Sequence, residues 1–269
     1  MTTLEVLTAV FAIGMAMSIT MTLAWIAQQS TGNSGWVDTI WSFGVGLCGA
    51  AAALVTSPNE DLQLRQILVA CFAGVWASRL GLHIASRSTR VANDPRYAEL
   101  IKDWGADATR RMFWFLQIQA LVSIPLILAM FLAAHRPGAG LTLADGLAVA
   151  VMVIAIAGEG VADWQLQRFK AGATGKGDVL DTGLWRWSRH PNYFFETVGW
   201  VAYPIVAIEL SGPYAWGWLA LAAPATMYWL LVHVSGIPPL EQHMLRSRGE
   251  AFRTYQRRAN AFFLGPPKS

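Results

Sequence analysis

Seven runs of about twenty mostly apolar residues constrain this chain more than any other feature. They lie near 3–27, 36–56, 66–86, 113–134, 142–162, 194–211 and 214–234. A hydrocarbon core about 30 Å thick takes about 20 residues of helix to cross. Backbone in lipid must satisfy its own hydrogen bonds, which leaves the helix as the form of such a span. Composition points the same way: 54% of residues are apolar and 14% charged, against roughly 25% charged in soluble domains. The expected fold is all-α, a polytopic membrane protein with seven transmembrane helices and one domain over residues 1–269. The first run has Glu5 at its start, no flanking lysine or arginine and no small-residue cleavage site, so it reads as a retained helix.

Lysine and arginine placement sets the expected orientation. Arg87, Arg90, Arg96, Lys102, Arg110 and Arg111 fall between the third and fourth runs. Arg168, Lys170, Lys176, Arg186 and Arg189 fall between the fifth and sixth, and Arg246, Arg248, Arg253, Arg257, Arg258 and Lys268 lie in the tail. With seven spans all three segments share one side, which places loops 87–112 and 163–193 and tail 235–269 in the cytoplasm and the N-terminus outside. The tail carries Leu245, Phe252 and Tyr255 among basic residues, the pattern of a short amphipathic helix lying at the membrane surface.

Several patterns carry little chemistry. Cys48 and Cys71 lie within spans at no metal-ligand spacing, and no metal site is expected. Gly44-Val-Gly-Leu-Cys-Gly49 has the spacing of a dinucleotide fingerprint but no strand before it; small residues for close helix packing explain it better. Gly175-Lys176-Gly177, within the flexible stretch Ala171–Asp178, lacks the remaining features of a phosphate loop.

Ionisable groups inside spans are costly and call for a partner or a function. Arg79, His83 and Arg87 recur every four residues, which stacks them on one helix face. Asp38 lies one turn into the second run: an interfacial carboxylate favoured by the helix dipole, or a buried acid able to donate a proton. Asp163, Gln167 and Lys170 recur at i, i+4 and i+7, with Arg168 on a neighbouring face. The densest polar stretch is RWSRHPNYFFE, residues 186–196. Pro191 disfavours helix at His190, so a helix starts near Pro191 or Asn192 and presents free N–H groups there. Arg186, Arg189 and His190 precede that start, Asn192 and Glu196 share a face, and Tyr193 occupies the next one.

These residues, with Val37-Asp-Thr-Ile-Trp41, Arg79-Leu-Gly-Leu-His83, Asp94-Pro-Arg-Tyr97, Ala162-Asp-Trp-Gln165 and Gly236-Ile-Pro-Pro-Leu-Glu241, resemble the bacterial branch of the steroid 5α-reductase family. The RHPNY element alone is shared with isoprenylcysteine methyltransferases and sterol reductases; the combination is more specific. The resemblance implies a seven-helix reductase of the bacterial inner membrane that binds NADPH from the cytoplasm. Its substrate would be an apolar 3-oxo-Δ4-steroid entering from the lipid, reduced at the C4=C5 bond. Asn192 and Glu196 match an asparagine and a glutamate that hold the nicotinamide end. Asp163 matches an acid used for cofactor contacts, Lys170 stands where an arginine is found, and Arg87 matches the arginine ending the third-helix motif. Arg248 and Met244 stand where the family has a tyrosine and a histidine, with Glu241 or Arg246 as replacements. The family's helix-2 glutamate transfers loosely to Asp38; its helix-3 tyrosine falls on Ile84, which cannot ionise.

Enone reduction needs hydride at the β-carbon and a donor aimed at the carbonyl oxygen. Asp38 kept protonated by burial, His83 or Tyr97 are the candidate donors. Cationic groups for the phosphates come from Arg87 and Arg96, from Arg168, Lys170, Arg186 and Arg189, and from Arg246 and Arg248. Asp163 would accept from ribose hydroxyls or orient an arginine, and His190 and Tyr193 complete the expected cofactor set. The surplus of arginine favours NADPH over NADH. A monomer is expected, with the bilayer as partner and no nucleic acid. The principal alternative is a membrane methyltransferase of the isoprenylcysteine type using S-adenosylmethionine. A retinal protein needs a lysine within the bundle, and residues 214–234 contain none.

Overall fold

The computed structural model of the chain describes residues 1–56, 61–89, 95–172, 178–210 and 212–268. Arg90, Asp94, Gly175, Lys176 and Gly177, with most of the Ala171–Asp178 stretch, lie outside the described residues, and of Pro95 only the backbone is described. Ten α-helices are described: α1 (Thr3–Thr31), α2 (Gly35–Leu54), α3 (Leu64–Ser88), α4 (Pro95–Trp104), α5 (Ala108–Ala134), α6 (Leu143–Gly172), α7 (Pro191–Ala207), α8 (Ala222–Trp229), α9 (Ile237–Arg248) and α10 (Glu250–Arg258). No β-strand occurs among the described residues.

Six helical runs are long and apolar enough to cross a membrane: α1, α2, α3, Arg96–Ala134 around α5, α6, and Ala215–Arg248 around α8. The chain is a multi-pass membrane protein by this measure. The run expected near 194–211 is α7, which has only 17 residues with Pro204 inside it. At 1.5 Å per residue it reaches about 26 Å, short of a core about 30 Å thick.

Contacts divide the chain into two compact units. The first comprises Met1–Asp145 and Tyr203–Ala223. Its first helix starts at a capping box: Thr2 Oγ1 accepts from the Glu5 N–H, and the Glu5 carboxylate accepts from the Thr2 N–H at 2.7 Å. Leu4, Phe11, Met15, Ile19 and Ile26 leave a strongly apolar face of α1 exposed, as a lipid-facing helix does. Three glycines from the middle of α2 onward serve close packing. A Cβ on Gly44 would strike Thr20 of α1, one on Gly46 would strike Ala77 of α3, and one on Gly49 would strike Met130 of α5.

One end of this unit is pinned by a buried ionic cluster. Arg65, at the start of α3, bonds Asp145 Oδ1 through Nε at 3.1 Å, and both side chains are almost wholly buried. The Arg65 guanidinium also donates to the carbonyls of Arg136, Gly138 and Gly140, and so closes the α5–α6 loop around itself. Asp145 in turn accepts from Arg136 and from both the N–H and the hydroxyl of Thr142. Burial and the neighbouring Arg65 lower the pKa of Arg136, while Asp145 opposes the shift.

The second unit comprises Gly146–Ala202 and Pro224–Ser269. Gly158 of α6 leaves room for the Phe195 ring of α7, which would collide with any Cβ there. After α8 the helix widens into a π-turn, Leu230–Val234, whose Leu230 carbonyl accepts from both Ser235 and Gly236. The prolines after Ile237 then start α9. The tail helix α10 is amphipathic as expected, but its apolar face is spent internally. Phe252, Tyr255 and Ala259 are buried against Val179, Met244 and Leu245 rather than offered to lipid.

Candidate functional site

In the first unit, polar side chains gather around Tyr97. Pro95 opens α4, where a fixed φ suits the first helical turn. Two residues on, the Tyr97 hydroxyl donates to Asp38 Oδ1 at 2.7 Å, although Tyr97 is only 4% exposed. Arg96 ion-pairs with the other Asp38 oxygen, and its guanidinium also lies over the Tyr97 ring, 5.7 Å from the centroid. Gln119 of α5 donates through Nε2 to the Tyr97 oxygen at 3.2 Å. One turn along, Ser123 donates to the Gln119 carbonyl and accepts from the Trp41 indole N–H. A carboxylate that meets a guanidinium on one oxygen and a phenol on the other is arranged as an anion and an acceptor. His83 and Arg87 lie on α3, half-buried and exposed respectively.

In the second unit the turn before α7 is stitched on two sides. Toward α6, the Leu184 N–H donates to Gln165 Oε1 at 3.0 Å and the Trp185 indole to the Ala162 carbonyl at 3.0 Å. Gly183 has φ +61, and the Gln165 amide occupies the space a Cβ would need, so only glycine fits this turn. Toward the tail, the Tyr255 hydroxyl donates to the Trp185 carbonyl, Ser188 Oγ to the Phe262 carbonyl at 2.8 Å, and the Arg189 N–H to the Asn260 carbonyl at 2.8 Å. Burial pushes the Tyr255 phenol above its ordinary range, which keeps it a donor.

Arg189 and His190 are held by Glu241. Arg189 forms a two-pronged pair with it, Nε to Oε1 at 2.7 Å and Nη2 to Oε2 at 3.2 Å, and sends Nη1 to the carbonyls of Ala259 and Gln256. Gln256 Nε2 reaches the same carboxylate at 2.6 Å, and His190 Nε2 at 3.0 Å. Burial lowers the His190 pKa, with the Glu241 contacts opposing and the Arg189 charge reinforcing the shift. The neutral ring therefore donates from Nε2, which leaves Nδ1 as a buried acceptor with no hydrogen-bond partner among the described residues. The same ring stacks on Tyr193, centroids 5.4 Å apart and planes 8° from parallel.

Beyond this clasp, Asn192 Nδ2 lies 3.5 Å from Asp163 Oδ1, so α7 and α6 bring those two expected residues together. Glu196 is buried and accepts from the Trp200 indole at 2.9 Å. Arg186, Arg168, Lys170 and Arg246 are exposed, Arg168 lying over the Trp164 ring. Arg248 donates to the Asp178 carbonyl at 2.7 Å and meets the Met244 sulfur.

Residues 24–259 match a family described as a protein of unknown function, DUF1295. The chain belongs to that family. The matched region runs from within α1 past the end of α10, so both the Tyr97 cluster and the Glu241 clasp of this DUF1295 member lie inside it. No curated protein and no solved structure matches the chain.

Sequence reasoning missed Gln119, Gln256 and the Arg65–Asp145–Arg136 cluster. Two of the three left a trace: Gln119 is a primary amide within an apolar run, and Thr142-x-x-Asp145 is a helix-start signature. Gln256 had no distinguishing signal among the polar residues of the tail.

Proposed function

We propose that the protein is a membrane-embedded reductase that uses NADPH to saturate the C4=C5 bond of 3-oxo-Δ4-steroids. The observation that carries this reading is the Tyr97–Asp38 bond: a buried phenol whose proton rests on a carboxylate whose charge Arg96 offsets. Reduction of an enone places negative charge on the carbonyl oxygen, and a preoriented donor in a poorly hydrated site stabilises that charge strongly. Asp38, paired with Arg96, holds the Tyr97 proton until a substrate carbonyl takes its place, and Tyr97 takes the donor role over His83.

NADPH asks for cations at its phosphates and polar groups at its ribose and carboxamide ends. The second unit has both: Arg168, Lys170 and Arg186 at exposed positions, and Asn192, Asp163 and Glu196 on the facing helices α6 and α7. His190 Nδ1 adds a buried acceptor still open to a donor. Arg189, His190 Nε2 and Glu241 are better read as the clasp that holds the tail. When bound, the cofactor supplies hydride for the β-carbon, and the α-carbon takes a proton from water. With substrate bound, the Tyr97 hydroxyl would turn its single proton from Asp38 to the carbonyl oxygen while the Gln119 amide still donates to the phenol oxygen. Asn192 and Glu196 would orient the nicotinamide.

The same reading takes α7 as a seventh, short span, sets the N-terminus outside and the basic segments in the cytoplasm of a bacterial inner membrane, and has the protein act as a monomer. Cofactor binding by the purified full-length protein tests it. NADPH should bind, with affinity reduced at least tenfold in Asn192→Ala and in Glu196→Ala, the loss expected for one or two polar contacts. Binding of S-adenosylmethionine with none of NADPH would reject the reading for the methyltransferase.

A further inference from the structure

Outside these clusters, the first unit carries an open groove lined by Trp104, Arg110, Arg111, Trp114, Phe115 and Ile118. Its inner wall is aromatic: Trp104 lies against Phe115, centroids 6.0 Å apart. Its outer side continues into the surface of α5, where Trp114, Ile118 and Leu121 recur at i, i+4 and i+7, all more than half exposed. That stripe belongs to a helical run apolar enough to cross a membrane, so acyl chains lie against it. Its polar end holds Arg110 and Arg111, whose side chains are 74% and 55% exposed. They share one carboxylate, Asp107, at 3.6 and 3.9 Å, too far for strong hydrogen bonds. Two guanidinium groups against one acid leave a net positive charge at the headgroup end of a lipid-facing stripe.

We propose that this groove binds an anionic glycerophospholipid of the surrounding bilayer. The headgroup phosphate engages Arg110 and Arg111, for which guanidinium geometry is well matched. The glycerol region rests on Trp104 and Phe115, and one acyl chain follows Trp114, Ile118 and Leu121. A lipid fits better than a soluble anion because the apolar stripe continues directly from the charged end, so one amphiphile satisfies both. The proposal is independent of any reductase activity.

The test uses the full-length protein in mixed micelles, with tryptophan quenching by phospholipids brominated in their chains. Quenching that depends on Trp114, measured as the difference from Trp114→Phe, should favour phosphatidylglycerol over phosphatidylcholine. The expected preference is roughly five- to thirtyfold, the range for one or two arginines on an anionic headgroup. Arg110→Gln with Arg111→Gln should abolish it, and the paired Lys variant should keep most of it, which separates lost charge from lost fold. Soluble glycerol phosphate should not displace the lipid. Equal Trp114-dependent quenching by the two lipids overturns the proposal without recourse to the arginine variants. A preference that survives the Gln pair, or full displacement by glycerol phosphate, overturns it as well.

Discussion

Tyr97 and Asp38, 59 residues apart in the chain, share a 2.7 Å hydrogen bond with the tyrosine as donor. Arg96 balances the acid and Gln119 supports the phenol oxygen. The cluster thus parks the single phenol proton on Asp38 while Gln119 fixes the phenol oxygen, so a substrate carbonyl has to replace Asp38 as the acceptor.

Removing that donor should lower turnover far more than it weakens substrate binding. On the proposed mechanism Tyr97→Phe removes the hydrogen bond meant for the developing oxyanion and should cut kcat by about 10²–10³-fold. Asp38→Asn retains an acceptor for Tyr97 while losing the Arg96 pair, so its loss of kcat should be smaller. Steady-state kinetics on both variants checks the order; an Asp38→Asn enzyme more impaired than Tyr97→Phe would make the acid the donor.

The Arg65–Asp145 pair should be worth more to stability than any exposed ion pair of the chain. Both side chains are almost fully buried, and Arg65 also holds three loop carbonyls. Truncating Arg65 leaves the buried Asp145 with Arg136 as its remaining cationic partner and three loop carbonyls without their donor, at a cost of up to about 3–5 kcal/mol. Arg65→Ala should therefore lower the thermal midpoint in detergent sharply, whereas Arg253→Ala, whose Glu250 contact is exposed, should leave it nearly unchanged.

Much of the fold was legible because a span is set by length and hydropathy alone. The runs that became α1, α2, α3, α5 and α6 read directly, and the glycines of α2 were placed correctly as packing residues. The run at 194–211 read less well: Pro191 sets the start of α7 early, and the helix ends at Ala207. The sites were legible as residue types but not as partnerships. Arg189 looked like a phosphate ligand because a linear pattern shows a charge without showing whether it is already neutralised. Its partners Glu241 and Gln256 lie more than fifty residues downstream. Asp38 reads either as an interfacial carboxylate or as a buried acid, because nothing in its own helix announces Arg96.

Gly183→Ala should destabilise the turn before α7. Its positive φ costs an L-residue about 1–2 kcal/mol, and the Gln165 amide must also move. The expected signature is a lower unfolding midpoint with easier proteolysis of the 178–190 segment. A variant as stable as the parent would mean that Gln165 does not pack there.

Acid should weaken the clasp through His190. Burial holds its pKa below the ordinary value of about 6.5. As pH falls below that value the unfolded chain takes up a proton the folded chain still excludes, so stability falls until the folded-state pKa is passed; above it the contribution is fully present. The unfolding midpoint followed from neutral to mildly acidic pH should drop, and His190→Gln should flatten part of that slope.

The central claim is enone reduction by NADPH. The most direct measurement is NADPH oxidation, followed by its near-ultraviolet absorbance, when the purified full-length protein in detergent meets a panel of 3-oxo-Δ4-steroids. Oxidation that requires the steroid, yields the saturated ketone and is lost in both Tyr97→Phe and Glu196→Ala is the predicted result. No oxidation with any enone, together with methyl transfer from S-adenosylmethionine, would contradict it.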